Sequence, residues 1–311
     1  MRLRSILLLV LPGLVAACEP GLGSGPRVQF VADSRLTATA RRLTTPADTV
    51  TTRIYARADE DDDSPLERLL ITVTYDPVPE PIIYSLFPED RPKVDLVYLD
   101  STVSSLSELV FQSTQPTRST AGAETWRYEA FDAENRKGAR SLRLYLPRAD
   151  SLAVFHSYSV TLDAPRAGVS DTRRFLALRE GLALPGFSVR NLPANQQRID
   201  LIYQVDNTTN APILSLPTEE SLKLTWPQPR TTQIRSTSLD SIAFQGAGTA
   251  QQLQAAYESG NDFGRPTTTG ALRRGQVLAF LTPEGKPGLL RVQRIGTTNR
   301  RQLTVQVRVG K

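Results

Sequence analysis

The chain has 311 residues, with 37 Lys and Arg against 32 Asp and Glu, for a net charge of +5. One histidine and one cysteine cannot supply the His and Cys ligands of an ordinary zinc or haem site, nor an internal disulfide. Stability must therefore come from a core, and a chain that is 40% hydrophobic, punctuated by 22 Pro and 19 Gly, has the apolar surface to build one.

At the N-terminus Arg2 and Arg4 precede an apolar run from Ser5 to Val15, followed by Ala16, Ala17 and Cys18. A spanning helix needs about 20 apolar residues, whereas the apolar core of a secretion signal needs only ~7–15 ahead of small residues. Residues 1–17 are accordingly read as a signal peptide. The segment Val15-Ala16-Ala17-Cys18 resembles a lipobox, with Val15 where Leu is commoner. That resemblance implies cleavage before Cys18 and a diacylglycerol on its thiol. Ordinary Ala-x-Ala cleavage would instead leave Cys18 a free thiol. With lipidation, the expected location is the cell envelope, at the outer membrane, with residues 18–27 as a linker from the anchor. No later apolar run is long enough to cross a bilayer.

The body predicts an all-β fold. Short segments alternate apolar and polar residues with period two: Thr49–Ala56, Leu69–Tyr75, Thr125–Phe131, Ser141–Leu146 and Gln302–Val309. Such alternation turns one row of side chains inward and the other to water. In the last segment Leu303, Val305, Val307 and Val309 are the expected core row. The chain divides near residue 150, where a polar break is followed by the strand-like Tyr158–Leu162. Charge changes sign there: residues 18–163 hold 16 Lys and Arg against 22 Asp and Glu, and residues 164–311 hold 19 against 10. Two domains are expected, 28–150 and 151–311.

The first unit reads as a β-sandwich of short strands. Its clearest local pattern is Thr125–Phe131, a polar turn from Asp132 to Gly138, then Ser141–Leu146. This resembles the last hairpin of immunoglobulin-like domains in bacterial surface proteins, so the resemblance implies an immunoglobulin-like β-sandwich. The second unit reads as a β-rich domain with one short helix. Thr249 and Gln252 form a capping-box pair, apolar Leu253, Ala256 and Tyr257 follow at helical spacing, and Gly260 closes the segment. The strand Arg198–Tyr203, the hairpin Pro283–Val292 and the closing strand come in an order that resembles the C-terminal module of uncharacterised cell-envelope lipoproteins of Bacteroidota. The resemblance implies no activity.

Few residues invite catalysis. His156 beside Phe155 is the sole histidine and has no nucleophile elbow near it, so it reads as a surface or interdomain residue. Phosphate-cradling glycine loops are missing. The acidic run Asp59-Glu60-Asp61-Asp62-Asp63 offers the oxygen ligands that calcium prefers, with Asp59, Asp61 and Asp63 the candidates. It departs from the EF-hand pattern, with Ser64 where Gly is required and Leu70 where the bidentate Glu belongs, and reads as a solvated turn. Among aromatics that could stack on a sugar, Trp126 and Tyr128 share an alternating strand and read as core, and Tyr257 belongs to the helix pattern. Trp226, before Pro227-Gln228-Pro229, reads as a loop residue and is the first choice for a ligand contact.

The arginines of the second half, interleaved singly on alternating strands, read as a solvated face; the alternative is contact with a polyanionic envelope polysaccharide, and for an exported protein an envelope glycan or protein is the expected partner rather than nucleic acid. The expectation is a non-catalytic binding or structural module with no catalytic residue, metal or cofactor. The competing reading is a carboxylate-dependent hydrolase of extracellular polysaccharide, which needs two carboxylates about 5–10 Å apart across a cleft.

Overall fold

The computed structural model describes residues 25–43, 49–59, 64–77, 93–116, 122–146, 155–206, 208–296 and 301–310. Its architecture is all-β, with strands grouped in four sheets and helices that are short.

The first half contributes β1 (Arg27–Phe30), β2 (Arg41–Arg42), β3 (Thr49–Arg57), β4 (Leu66–Pro77), β5 (Val94–Leu106), β6 (Glu108–Pro116), β7 (Gly122–Asp132) and β8 (Lys137–Leu146). One sheet has the order β1-β3-β6 and the other β2-β8-β7-β4-β5. All pairings are antiparallel except β2 with β8. The alternation of β3 sets its core row, Val50, Thr52, Ile54 and Ala56, each at most 1% exposed. Thr52 can sit in that row because its hydroxyl shares a 2.7 Å hydrogen bond with the Tyr128 hydroxyl, which also accepts from Gln115 Nε2 at 3.1 Å. A buried polar group so satisfied carries little desolvation cost. The β7–β8 turn is held by Asp132, whose Oδ1 accepts from the backbone of Glu134 and Arg136 at 3.1 and 2.8 Å. Asn135 supplies the left-handed residue of that turn, with φ 60°. Gly138 lies in β8 instead and has a different reason to be glycine: a Cβ there would fall 1.8 Å from the Pro26 carbonyl oxygen.

The second half begins with β9 (Phe155–Asp163), followed by β10 (Arg173–Ala177), β11 (Leu182–Pro185), α1 (Gly186–Val189) and α2 (Pro193–Gln196). Then come β12 (Leu201–Val205), β13 (Pro212–Ser215), β14 (Gln233–Ser236), α3 (Ser241–Gly246), α4 (Ala250–Glu258), β15 (Val277–Leu281), β16 (Pro287–Ile295) and β17 (Gln302–Gly310). A middle sheet has the order β11-β10-β12-β13, and an outer sheet the order β14-β15-β16-β17-β9. Leu303, Val305, Val307 and Val309 are fully buried in β17. The Thr249–Gln252 capping box starts α4, whose Leu253, Ala256 and Tyr257 pack with Phe244 of α3 on the outer sheet. α1, α2 and α3, of four, four and six residues, are too short to show periodicity in the sequence.

The middle sheet is covered on both faces. Phe175, Ala177, Leu182, Leu184 and Ile202 join the core of the first half, whereas Leu176, Ala183, Leu201, Tyr203 and Leu214 join the core beneath the outer sheet. This explains why β11 reads Leu-Ala-Leu-Pro without alternation. Among the described residues no strand pairing crosses residue 150, but side chains do. Ser188 Oγ donates to the Tyr98 carbonyl at 2.6 Å, and Asn195 Nδ2 donates to the Val97 carbonyl at 2.7 Å. Phe187 meets Tyr98 edge-on, with centroids 5.4 Å apart.

Candidate ligand-binding groove

The groove that these elements position begins with a flaw in β10. Arg173 pairs with Pro185 and Phe175 with Leu184, so Arg174 is an extra residue in the strand and has no opposite number on β11. A bulge of this kind re-aims a side chain. The Arg174 guanidinium lies 4.8 Å over the Phe175 ring, and Phe175 in turn backs Trp226 at 5.9 Å between centroids. A groove of about 510 Å³ opens beside them. Its walls are the turn between β9 and β10, the α1–α2 corner and the segment Lys223–Pro227.

Each wall is fixed by local chemistry. The β9–β10 turn closes through Val169 N donating to the Arg166 carbonyl at 3.2 Å, with Gly168 at φ +70° supplying the left-handed residue. The α1–α2 corner is fastened by Asn195 Nδ2, which also reaches the Ser188 carbonyl at 2.7 Å, and by Gln196 Nε2, which donates to the carbonyls of Val189 and Arg190 at 2.7 and 3.2 Å. The segment bearing Trp226 follows a 3-10 turn, Glu220–Leu222, capped by Glu219. Glu219 is 3% exposed and accepts from Arg265 Nη2 at 2.9 Å, from the Thr267 hydroxyl and from the Ser221 amide. These bonds hold its carboxyl below the usual carboxylate range, the Thr267 hydrogen bond foremost.

The groove is basic. Arg166, Arg174, Arg190 and Lys223 line it, and among the described residues no carboxylate does. Arg166 meets Asp171 at 3.6 Å across exposed surface, a weak attachment. Arg174 is half-buried, and among the described residues no carboxylate pairs with it. Burial therefore draws its guanidinium below its ordinary value with nothing acidic to oppose the shift. Trp226 is half-buried, its ring wedged between Phe175 and the groove.

Other sequence candidates fall elsewhere. Cys18, Asp61 and Asp63 lie outside the described residues. Asp59 accepts from the Gly25 amide at 3.1 Å, and no cluster of three His, Cys, Asp or Glu occurs among the described residues. Trp126, 2% exposed, donates Nε1 to Glu124 at 3.0 Å; Tyr128 is fully buried and Tyr257 is 6% exposed. His156 is half-buried at the start of β9, opposite Val309 of β17.

The most buried acid of the second half is Asp200, in the Arg198–Tyr203 motif, and it is 0% exposed. It accepts from the Leu178 amide at 2.8 Å, Arg230 Nε at 2.7 Å and the Thr232 hydroxyl at 2.5 Å. Arg230 also forks onto Glu284 at 2.8 and 2.7 Å. Burial pushes the Asp200 carboxyl up against the pull of these partners, while Arg230 brings Glu284 down to about 2. The donors and acceptors of this cluster satisfy one another, which is the signature of a structural ion pair. At the junction of the halves a smaller cavity, about 250 Å³, is lined by Asp163 and Asp171. Both are engaged, Asp163 with Arg173 at 3.3 Å and Gln302 at 2.8 Å, and Asp171 with Arg166.

The sequence marked Trp226 but not Arg174, Arg190, Lys223 or Gln196. The signal for Arg174 was present: Arg173-Arg174 ahead of Phe175-Leu176-Ala177 puts two charges side by side where a strand should alternate. No family model and no curated protein matches the chain. Among solved structures it is similar to a DUF4466 family protein from Parabacteroides merdae ATCC 43184, at 10% identity over 93% of this chain and 99% of that one, with a TM-score of 0.34. It is also similar to Spo0M, a sporulation control protein from Bacillus subtilis, at 9% identity over 64% of this chain and 82% of that one, with a TM-score of 0.25. Likenesses of this size carry no argument about activity.

Proposed function

We propose that the chain is a lipid-anchored protein of the bacterial cell envelope, held at the outer membrane through Cys18, and that its folded part binds an anionic ligand without transforming it. The observation that carries the binding reading is the groove itself: four cations around a half-buried tryptophan, with no carboxylate among its described lining residues. Its volume falls within the roughly 300–1,000 Å³ of small-molecule sites. Polar groups that position a ligand are present, whereas the paired acids on which the hydrolase reading depends are not part of this lining.

In this reading residues 28–150 are an immunoglobulin-like platform. Its support is the strand order, with β2 running parallel to the last strand β8 as an extra edge strand. Residues 151–311 are the binding unit, resembling the C-terminal module of Bacteroidota envelope lipoproteins. Each unit expressed alone should unfold cooperatively by circular dichroism; failure of both would show a single intertwined domain.

Retention on an acidic polysaccharide matrix tests the binding. The chain with Cys18→Ala should leave the membrane fraction yet be retained, and Arg190→Ala with Lys223→Ala should reduce retention. Attraction among exposed charges is screened over about 8–10 Å at physiological ionic strength, so the site-dependent part is what should persist there. Retention of the Arg190→Ala, Lys223→Ala variant equal to that of the parent at low and at physiological salt would remove the groove from the account.

A further inference from the structure

The charge of the groove does not by itself distinguish a phosphate, a carboxylate or a sulfate. A second observation narrows the chemistry. Gln196 is 5% exposed and lines the groove, and among the described residues no donor reaches its side-chain oxygen. The orientation of its amide is not free, because Nε2 is committed to two carbonyls, those of Val189 and Arg190. Reversing the amide would set an oxygen against both. The wall of the groove therefore holds a fixed acceptor with no donor among the described residues, and such an atom calls for a hydroxyl or N–H.

Three kinds of recognition then meet in one place: a half-buried guanidinium on the β10 bulge, a tryptophan ring backed by Phe175, and an acceptor without a donor. A planar guanidinium matches a carboxylate through two parallel hydrogen bonds. An aromatic ring offers a flat apolar surface. A simple inorganic anion could use the first group only. A neutral sugar could use the second and third but would leave Arg174 without its counter-charge.

We propose that the groove takes an acidic saccharide, a uronate-type ring whose carboxylate meets Arg174, whose C–H face lies on Trp226 and whose hydroxyl donates to Gln196 Oε1. This rests on the reading of the groove as the binding site of an exported protein, and that location favours a glycan over a nucleotide, whose base, phosphate and ribose could meet the same three groups.

The experiment is a titration of the full chain carrying Cys18→Ala, followed by isothermal calorimetry and tryptophan emission. The probes are a panel of uronate oligosaccharides, their neutral methyl esters, inorganic phosphate and adenosine monophosphate. The uronates should bind saturably and shift the emission, and the esters should bind at least tenfold more weakly. Arg174→Met should weaken uronate binding by about tenfold to a hundredfold, the loss expected for a charge-assisted bidentate contact. Arg174→Lys should recover part of it, and Gln196→Met should weaken uronate and ester alike. A melting temperature for Arg174→Met no lower than the parent's separates lost contact from lost fold, and Trp226→Phe is a second variant with the same purpose.

Equal affinity for uronates and esters would overturn the acidic-saccharide assignment, as would indifference of uronate binding to Arg174→Met. Binding of phosphate or adenosine monophosphate that depends on Arg174, with none of the uronates, would overturn the saccharide class yet keep the groove as the site. No binding of any probe would remove both.

Discussion

Arg230 and Arg174 lie in the same half of the molecule and differ in almost everything that surrounds them. Arg230 is flanked by Asp200 and Glu284, with three hydrogen bonds between 2.7 and 2.8 Å to their carboxylates. Arg174 has an aromatic ring at 4.8 Å and, among the described residues, no carboxylate partner. The first has its hydrogen bonds closed within the fold, where they serve stability. The second is incomplete and gives the surface something to recognise. Charge content alone does not distinguish the two; the closure of the hydrogen bonds does.

The largest expected effect is at the closed cluster. Asp200→Ala leaves the Leu178 amide, the Thr232 hydroxyl and the inner side of Arg230 without their acceptor. Removing one partner of a buried ion pair costs about 3–5 kcal/mol, which chemical denaturation should read as a lower midpoint. Replacing Asp200 and Arg230 together by Leu and Met should recover most of that loss. A single variant as stable as the parent would break the comparison at its stronger end.

Arg174→Met should act in the opposite direction. Exchange of an unpaired, half-buried charge for an apolar side chain removes a desolvation cost, so stability should stay level or rise by up to about 1 kcal/mol, while anion binding falls. A loss of more than about 1 kcal/mol in the melting analysis would mean that Arg174 is a structural residue after all.

The smallest effect concerns acid. Glu284 has its carboxyl depressed from 4.5 to about 2 by Arg230, so the stability it adds is fully present above its unfolded value and disappears as pH falls through about 2. Its side chain is 34% exposed, so screening keeps the contribution small. Glu284→Gln should flatten the acid limb of the stability profile between about 4.5 and 2 and leave the rest parallel. An unaltered acid limb would show that the outer arm of the cluster adds no stability.

How legible this contrast was in the sequence depended on period. The β17 row from Leu303 to Val309, the hairpin after Thr125 and the helix after Thr249 follow from alternation, turn residues and capping, which act over a few neighbours. Trp226 could be marked because prolines follow it. The partnership of Asp200 with Arg230 and Glu284 joins residues 30 to 84 positions apart, and nothing local announces it. Gln196 was invisible for a similar reason: its role depends on α1 and α2, four residues each, turning its amide nitrogen onto Val189 and Arg190. The middle sheet hid its double burial because β11 offers only four residues to read.

The bulge in β10 carries a consequence for how such a site arises. On either side of Arg174 the β10–β11 ladder is in register, Arg173 with Pro185 and Phe175 with Leu184. Loss of one codon at position 174 would join those two pairs into an unbroken ladder, leaving the hydrophobic rows that follow where they are. A regular sheet thus lies a single in-frame deletion away, and the reverse event, insertion of one residue, would turn an inert strand into one that presents a guanidinium. Selection can therefore gain or discard the charged group at this position without redesigning the core.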